Sequence, residues 1–375
     1  MDLTMSENQG NVILTGATGT LGSQVIFELL KKENIKTIFL LVREKNGKPA
    51  LARIMKILES EAAPEFISQN IGVILKRIKV LSIDAFFKPE DFLCKEEKNF
   101  FIHSAGCVNL STDPSQKDII FDGNLKLTQN IFDTFSPYIS KFTYISTAFS
   151  IGNIGGLIDN DYHSTTPPQY RNFYEESKHA TEKFLFKRGK AEGIDVQVLR
   201  PSVLGGNIFQ KSPYFISSYM VYYLLGKFFY NSYFGDTSIR LAANFKTGLN
   251  IIPVDYVAKV IASVYTQDVE QLNIVHSEST NIVAGMSRII KTVGFDNFTF
   301  LNSTGDLLLE GKNRLEDIYY RSIGLHLDRY LTSDPYEYDT TLLESIVPIP
   351  EYNIEDYLEH TIAYAKTKEF KGEGW

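Results

Sequence analysis

The chain holds only two cysteines in 375 residues, Cys94 and Cys107, too few for a disulfide framework or a thiolate metal set. Its six histidines are scattered, with no H-x-x-x-H or related spacing, so no metal is expected. Cationic excess is missing as well. Lys and Arg number 38 against 45 Asp and Glu, a formal charge of −7, which offers no electrostatic footprint for nucleic acid or an anionic membrane. Short basic clusters, Lys76–Arg77–Lys79 and Lys183–Lys187–Arg188–Lys190, read as solvated faces. No positively charged region followed by an apolar core opens the chain, so no signal peptide is expected. The most apolar stretch, Tyr214 to Phe234, is broken by Ser217, Ser218, Lys227, Asn231 and Ser232 and fails as a transmembrane span. Internal repeats, low-complexity tracts and long linkers are missing too. What remains is a chain of ordinary hydrophobic content, 43%, long enough for one large domain or two ordinary ones. A reducing, cytoplasmic setting is the expectation.

What is present is concentrated first at the N-terminus. Residues Asn11 to Gly22 read N-V-I-L-T-G-A-T-G-T-L-G, an apolar β-type run breaking into Gly16, Gly19 and Gly22, with a helix-forming segment directly behind. Strand, glycine-rich turn and helix in that order surround an anion with backbone N–H groups and a helix N-terminus, as a dinucleotide pyrophosphate requires. The spacing is G-x-x-G-x-x-G, a relative of the G-x-G-x-x-G fingerprint.

Strand-like and helix-like runs then alternate through the first 200 residues. The strands are Val12–Thr15, Thr37–Val42, Lys79–Ser82, Phe100–His103, Phe142–Ser146 and Val196–Leu199. The helices are Leu21–Lys32, Ala50–Glu59, Gln116–Phe135 and Tyr174–Gly189. Near-continuous apolar strands in such an alternation predict an α/β fold, a doubly wound (Rossmann) parallel sheet with its ligand crevice at the strand C-terminal ends. After Pro201 the pattern loosens. Short extended elements near Asn250–Pro253 and Asn273–Val275 mix with helical patterns at Val254–Tyr265, Ile282–Val293, Leu307–Ser322 and Ile354–Ala365. This predicts a coenzyme domain over residues 1–204 and a smaller, partly helical substrate-binding part over 205–375, with segments near 250–265 returning to the first.

Tyr174 and Lys178 stand four apart in a helical segment and share one face. A free phenol ionises near pH ~10. An ammonium about 5 Å away at an effective dielectric of about 20 favours the phenolate by roughly 3 kcal/mol, or about two pH units. That brings a tyrosine within range of general acid–base work. The strand Phe142–Ser146 ends in two hydroxyl residues facing the crevice; Thr147 is preferred over Ser146 as a donor to a substrate carbonyl, the alternative for both being strand-end turn chemistry.

These pieces together resemble the extended short-chain dehydrogenase/reductase superfamily, and within it the thioester-reductase and fatty-acyl-CoA-reductase branch. The segments that carry the resemblance are T-G-A-T-G-T-L-G, L-L-V-R (Leu40–Arg43), H-S-A-G-C-V-N (His103–Asn109), Y-I-S-T-A (Tyr144–Ala148), Y-E-E-S-K, L-R-P-S (Leu199–Ser202) and N-I-I-P-V-D-Y-V (Asn250–Val257). The block Tyr330–Glu344 looks like the C-terminal signature of the same branch. The likeness spans about residues 10 to 366.

The resemblance implies an NADPH-dependent oxidoreductase acting on an acyl thioester, carried by coenzyme A or a carrier protein, to give an aldehyde; whether a second round carries it on to the alcohol stays open. Thr147, Tyr174 and Lys178 would be catalytic. The coenzyme would contact Thr15, Gly16, Thr18, Gly19, Thr20, Leu21 and Gly22 at the turn. It would also contact Asp84, His103, Ser104, Ala105, Asn124, Pro201, Ser202 and Val203, together with Tyr174 and Lys178. Arg43 closes the second strand where NAD-binding folds carry Asp or Glu, so it suits a 2′-phosphate and NADP; otherwise it is a loop residue beside Glu44. The aromatic run from Tyr214 to Tyr230 suits either an apolar acyl channel or plain core packing. Two other functions stay open: a sugar-nucleotide epimerase or dehydratase using NAD, with Arg240 and Lys246 for a second pyrophosphate, and a non-catalytic dinucleotide sensor.

Overall fold

The run Gly10–Thr15 (β1) is buried at every residue, the signature of a strand covered on both faces. Around it lie Ile35–Leu41 (β2), Ile78–Leu81 (β3), Asn99–His103 (β4), Lys141–Ile145 (β5), Asp195–Pro201 (β6) and Gln271–Ile274 (β7). In the computed structural model, which describes residues 10–82, 84–231, 237–305 and 310–375, these seven form one parallel sheet in the order β7-β6-β5-β4-β1-β2-β3. The strand order reverses between β1 and β4, where Thr15 is in register with His103. Such a switch point opens a crevice at the strand C-terminal ends. The doubly wound α/β architecture is therefore as expected, and the six expected strands all belong to it.

β7 is supplied from beyond the loosening of the pattern. It pairs with β6 from Gln271↔Val198 to Ile274↔Pro201. The helix Val254–Val264 also returns to the sheet, sharing an apolar core with Val25, Ile26 and Leu29 of the helix Thr20–Leu30. A second core joins the helices Tyr222–Tyr230, Ile282–Thr292, Gly324–Leu331 and Ile354–Thr367 through Tyr223, Met286, Leu327 and Ile362. The helix expected over Leu307–Ser322 is observed as Arg314–Arg321, started by a capping box between Asn313 and Glu316; residues 307–309 lie outside the described residues. The end of the apolar stretch Tyr214 to Phe234, residues 232–234, does too.

The stretch expected as one helix over Gln116–Phe135 is interrupted. Lys117–Phe121 and Leu127–Phe135 are α-helical, and Asp122–Lys126 between them is a π-type turn. Such insertions re-aim side chains, and Asn124 lies inside this one. The helix Phe173–Glu192 starts where Asn172 accepts from the Glu175 N–H at 3.0 Å and stops at Gly193, φ +69°. Both are ordinary boundary devices. No helix among the described residues is long and apolar enough to cross a membrane.

Candidate active site

The turn after β1 admits only glycine at two points. Gly16 has φ +71°, and a Cβ there would lie 2.6 Å from the Ser104 carbonyl carbon and 2.7 Å from Ala105 N. A Cβ on Gly22 would lie 2.1 Å from Gly16 O. The helix Thr20–Leu30 thus begins pressed against the turn, and a helix start leaves its first N–H groups without partners inside the helix.

Behind the turn runs a directional hydrogen-bond chain. Thr128 Oγ1 donates to Asn124 O at 2.7 Å, so its oxygen accepts from His103 Nε2 at 3.0 Å. His103 Nδ1 then accepts from Thr15 Oγ1 at 2.6 Å, whose oxygen accepts from Ala105 N at 3.3 Å. Every donor finds an acceptor only with a neutral, Nε2-protonated imidazole. Burial, with Lys178 nearby, holds His103 down to about 3. His103 and Thr15 therefore brace the site from behind.

One cavity of about 720 Å³ gathers most of the expected site residues: Thr18 to Gly22, Ser104, Asn124, Thr147, Tyr174, Lys178 and Pro201 to Val203. Thr147 and Tyr174 both line it, and the Thr147 hydroxyl is near enough to the phenol to oppose the rise that burial imposes on it. Ser146, the alternative hydroxyl, is committed elsewhere, donating to the buried Glu182 carboxylate. Lys178 Nζ donates to Ile145 O at 2.7 Å and lies 4.3 Å from the Tyr144 ring centroid. Asn124 accepts from Cys107 N and donates to Cys107 O and Ser177 Oγ at 2.8, 3.1 and 2.9 Å. It thereby ties the His103–Asn109 loop to the helix bearing Tyr174 and Lys178.

The electrostatics correct one expectation. Lys178 does not lower the Tyr174 phenol; burial, with Glu175 and Cys107, raises it above its ordinary value, and only Thr147 opposes. Burial also presses Lys178 down to about 7, against the pull of Glu182. The desolvation of both groups outweighs the attraction assumed from their spacing. Glu182 is fixed in turn by a fully buried ion pair to Arg200 at 2.7 Å.

Arg43 and Asp84 are both exposed and outside the cavity wall. The cation that reaches the wall from this end is Arg53, 4% exposed, joined by Lys45. Arg53 donates to Arg43 O at 2.7 Å, Thr18 Oγ1 at 2.8 Å and Trp375 O at 3.2 Å, and its buried Nε has no partner. Sequence reasoning missed Arg53 because it stands in a helix, Ala50–Leu58, as an apparent solvated charge. Ten residues beyond Arg43, one helical turn inside the next element, was the available signal.

The cavity continues past Thr147 into an apolar chamber. Ile216, Met220, Leu225, Ile282, Met286, Ile289, Leu327 and Leu331 line it, so the aromatic run supplies both a wall and core. The block from Tyr330 to Glu344 buttresses the Thr147 and Tyr174 side of the cavity. Tyr338 donates to Ala148 O at 3.0 Å, and the Tyr330 hydroxyl accepts from Asn172, the cap of the Tyr174 helix, at 2.8 Å. Arg240, by contrast, is engaged by Glu316 at 2.7 Å, and Lys246 is exposed; neither lines the cavity. Among the described residues no His, Cys, Asp and Glu cluster could hold a metal.

The residues present fit a dinucleotide. Gly16 and Gly22 form a cradle that a Cβ would fill, and Ser202 Oγ is buried in the cavity wall without a partner.

Comparison with known proteins agrees. Fatty acyl-CoA reductase 2 of Mus musculus is 27% identical over 170 residues, covering 42% of this chain and 32% of that protein; the chain thus spans about a third of that relative's length. The terminal R domain of the myxalamid PKS-NRPS pathway superposes with a TM-score of 0.66 at 18% identity, over 96% of this chain and 92% of that one. UDP-glucuronic acid 4-epimerase from Bacillus cereus, in complex with NAD, superposes at 0.63 and 16% identity, over 97% and 99%. At these identities the structural likeness establishes the fold. The signature of the male sterility protein family matches residues 14–261, two-thirds of the chain, and the chain belongs to that NAD-binding family, on the thioester-reductase branch of the extended short-chain dehydrogenase/reductases.

Proposed function

We propose that this chain is an NADPH-dependent reductase of acyl thioesters borne on coenzyme A or a carrier protein, giving an aldehyde and, in a second round, an alcohol. One observation carries the reading: a single cavity runs from the glycine-rich turn, past Thr147, Tyr174 and Lys178, into an apolar chamber. The names of the relatives, a fatty acyl-CoA reductase and an R domain of a PKS-NRPS pathway, support it. In this reading residues 1–204 house the coenzyme and 205–375 the acyl group, with 250–265 returning to the first part.

The turn from Thr15 to Gly22, with Ser104, Ala105, Asn124 and Pro201 to Val203, holds the dinucleotide. When bound, it supplies the hydride that reduces the carbonyl. Thr147 and Tyr174, which line the same cavity, donate hydrogen bonds to the carbonyl oxygen as it gains negative charge, where fixed donors help most. Tyr174, neutral across the working pH range because burial raises it, is suited to be the acid. Lys178, held to about 7, is suited to return the proton to the phenol and to bind the coenzyme ribose. Hydride and proton together convert one thioester to an aldehyde and a thiol once the carbon–sulfur bond breaks. Arg53 and Lys45, with Arg43 at the surface beside them, favour a 2′-phosphate and hence NADPH. The free, exposed thiol of Cys94 suits a reducing cytoplasm.

The sugar-nucleotide alternative fares worse, because it needs cations deep in the substrate chamber, and Arg240 is spent on Glu316. The test is incubation with NADPH or NADH and a panel of acyl-CoAs and acyl-carriers. Loss of reduced-nicotinamide absorbance, with aldehyde or alcohol seen by mass spectrometry, is expected. Turnover of a sugar nucleotide with none of any thioester overturns the proposal.

A further inference from the structure

The chain's one tryptophan, Trp375, lies 172 or more residues beyond every residue expected to touch the coenzyme, yet it reaches the glycine-rich turn. Phe370 is buried in the C-terminal core, its ring 5.9 Å from Tyr219 and 5.6 Å from Tyr230. Glu369 and Phe370 both have φ +51°, a costly pair of left-handed residues that turns the chain sharply after the helix Ile354–Thr367. The backbone then follows Ser217, whose carbonyl accepts from Glu373 N at 2.7 Å. A Cβ on Gly372 would lie 2.7 Å from the same oxygen. Beyond this, Trp375 Nε1 donates to Thr18 O at 3.1 Å, and its ring lies 6.3 Å from Phe215. Glu373 and Trp375 both line the cavity.

What the segment touches on the far side is cationic. Arg53 donates to Trp375 O at 3.2 Å, and Lys48 donates to Gly374 O. Among the described residues, none of Arg43, Lys45, Lys48, Arg53 and Lys56 pairs with a side-chain carboxylate within 4.0 Å. Five cations beside the glycine-rich turn, none paired with a side-chain carboxylate, repel one another and favour an anion among them. The buried, unpartnered Nε of Arg53 is the second sign that a ligand completes this end. The segment contributes main-chain oxygens, from Gly374 to Lys48 and from Trp375 to Arg53, and so orients those two cations.

We infer that residues 371–375 are part of the coenzyme site: Trp375 walls its adenosine end, clamps the Thr18 carbonyl of the phosphate turn, and positions Arg53 and Lys48 for the ribose phosphate. The inference rests on the nicotinamide-coenzyme reading and needs no thioester. Trp375 acts on the phosphate through Arg53, so it is a positioning residue for that group and a wall for the rest.

The experiment is coenzyme binding to the full chain, with calorimetry as a reference independent of tryptophan. Titration with NADPH is expected to quench Trp375 emission and to transfer energy to the dihydronicotinamide. Trp375→Ala is expected to weaken NADPH by at least tenfold and NADH by about threefold or less, since the phosphate contact is what the segment orients. Trp375→Phe, which keeps an apolar ring and loses the N–H, falls between, and guards against an unfolded Ala variant. NADPH binding by calorimetry with unchanged Trp375 emission, unchanged affinity in both variants, or tighter binding in either, overturns the inference. A protein that binds NADPH with these signatures but reduces no thioester overturns only the proposed reaction.

Discussion

Replacing Lys178 with methionine should abolish turnover and yet stabilise the fold at acid pH. Holding the ammonium at about 7 rather than 10.5 corresponds to about 5 kcal/mol against the charged form, at 1.36 kcal/mol per pH unit. The group is 4% exposed, so solvent screens little of this. Methionine removes the charge and forfeits the hydrogen bond to Ile145 O, worth about 1 kcal/mol. With relaxation allowed for, a net gain of about 2–4 kcal/mol is expected at pH 6, within the range seen when buried charges give way to apolar groups. Below about pH 7 the lysine is charged in both states, and the whole cost is present. Between about 7 and 10.5 the unfolded chain retains a proton that the folded one has released. Wild-type stability therefore climbs with pH over that window, and the advantage of Lys178→Met shrinks. Above 10.5 the variant falls about 1 kcal/mol behind. Urea denaturation of both coenzyme-free proteins at pH 6, 8 and 10, with equal m-values, measures this. A variant no more stable than wild type at pH 6, or a difference that does not change with pH, refutes the assignment of a desolvated ammonium.

Five further outcomes are expected. Tyr174→Phe should lower kcat by about 10²–10⁴ while leaving NADPH affinity within twofold by calorimetry, and Thr147→Ala should cost about 10²–10³; unchanged kcat in either removes that residue from the reaction. Gly16→Ala should lose coenzyme binding altogether, because φ +71° and a 2.6 Å approach to Ser104 force the turn apart; isothermal titration reads it. Arg53→Ala should reduce the NADPH-to-NADH preference more than Arg43→Ala, as measured by kcat/KM with each coenzyme, since Arg53 reaches the cavity wall and Arg43 does not. Arg200→Met leaves the buried Glu182 carboxylate unpaired and should cost about 3–5 kcal/mol, recovered in large part by the double variant Arg200→Met, Glu182→Leu in the same urea assay.

Local sequence determined a good deal of this protein. The apolar runs place β1 to β6, because a strand buried on both faces must be apolar throughout. The glycines place the phosphate turn, because at Gly16 and Gly22 nothing larger fits. The four-residue spacing puts Tyr174 and Lys178 on one helix face. Tertiary structure decided the rest. The local pattern gives a short extended element near Asn273–Val275, but that Gln271–Ile274 pairs with β6 across some 70 residues, as the seventh strand of the sheet, is set by the fold. Charge state was decided by burial: Lys178 and Tyr174 are each driven toward neutrality by desolvation, a property of everything packed around them rather than of their spacing. Of the two arginines, Arg53 and not Arg43 reaches the cavity wall, since the helix Ala50–Leu58 turns Arg53 inward while Arg43, ahead of that helix, is exposed. Trp375 meets Thr18 across 357 positions, a contact set by how the C-terminal helix docks and visible only once the chain is folded.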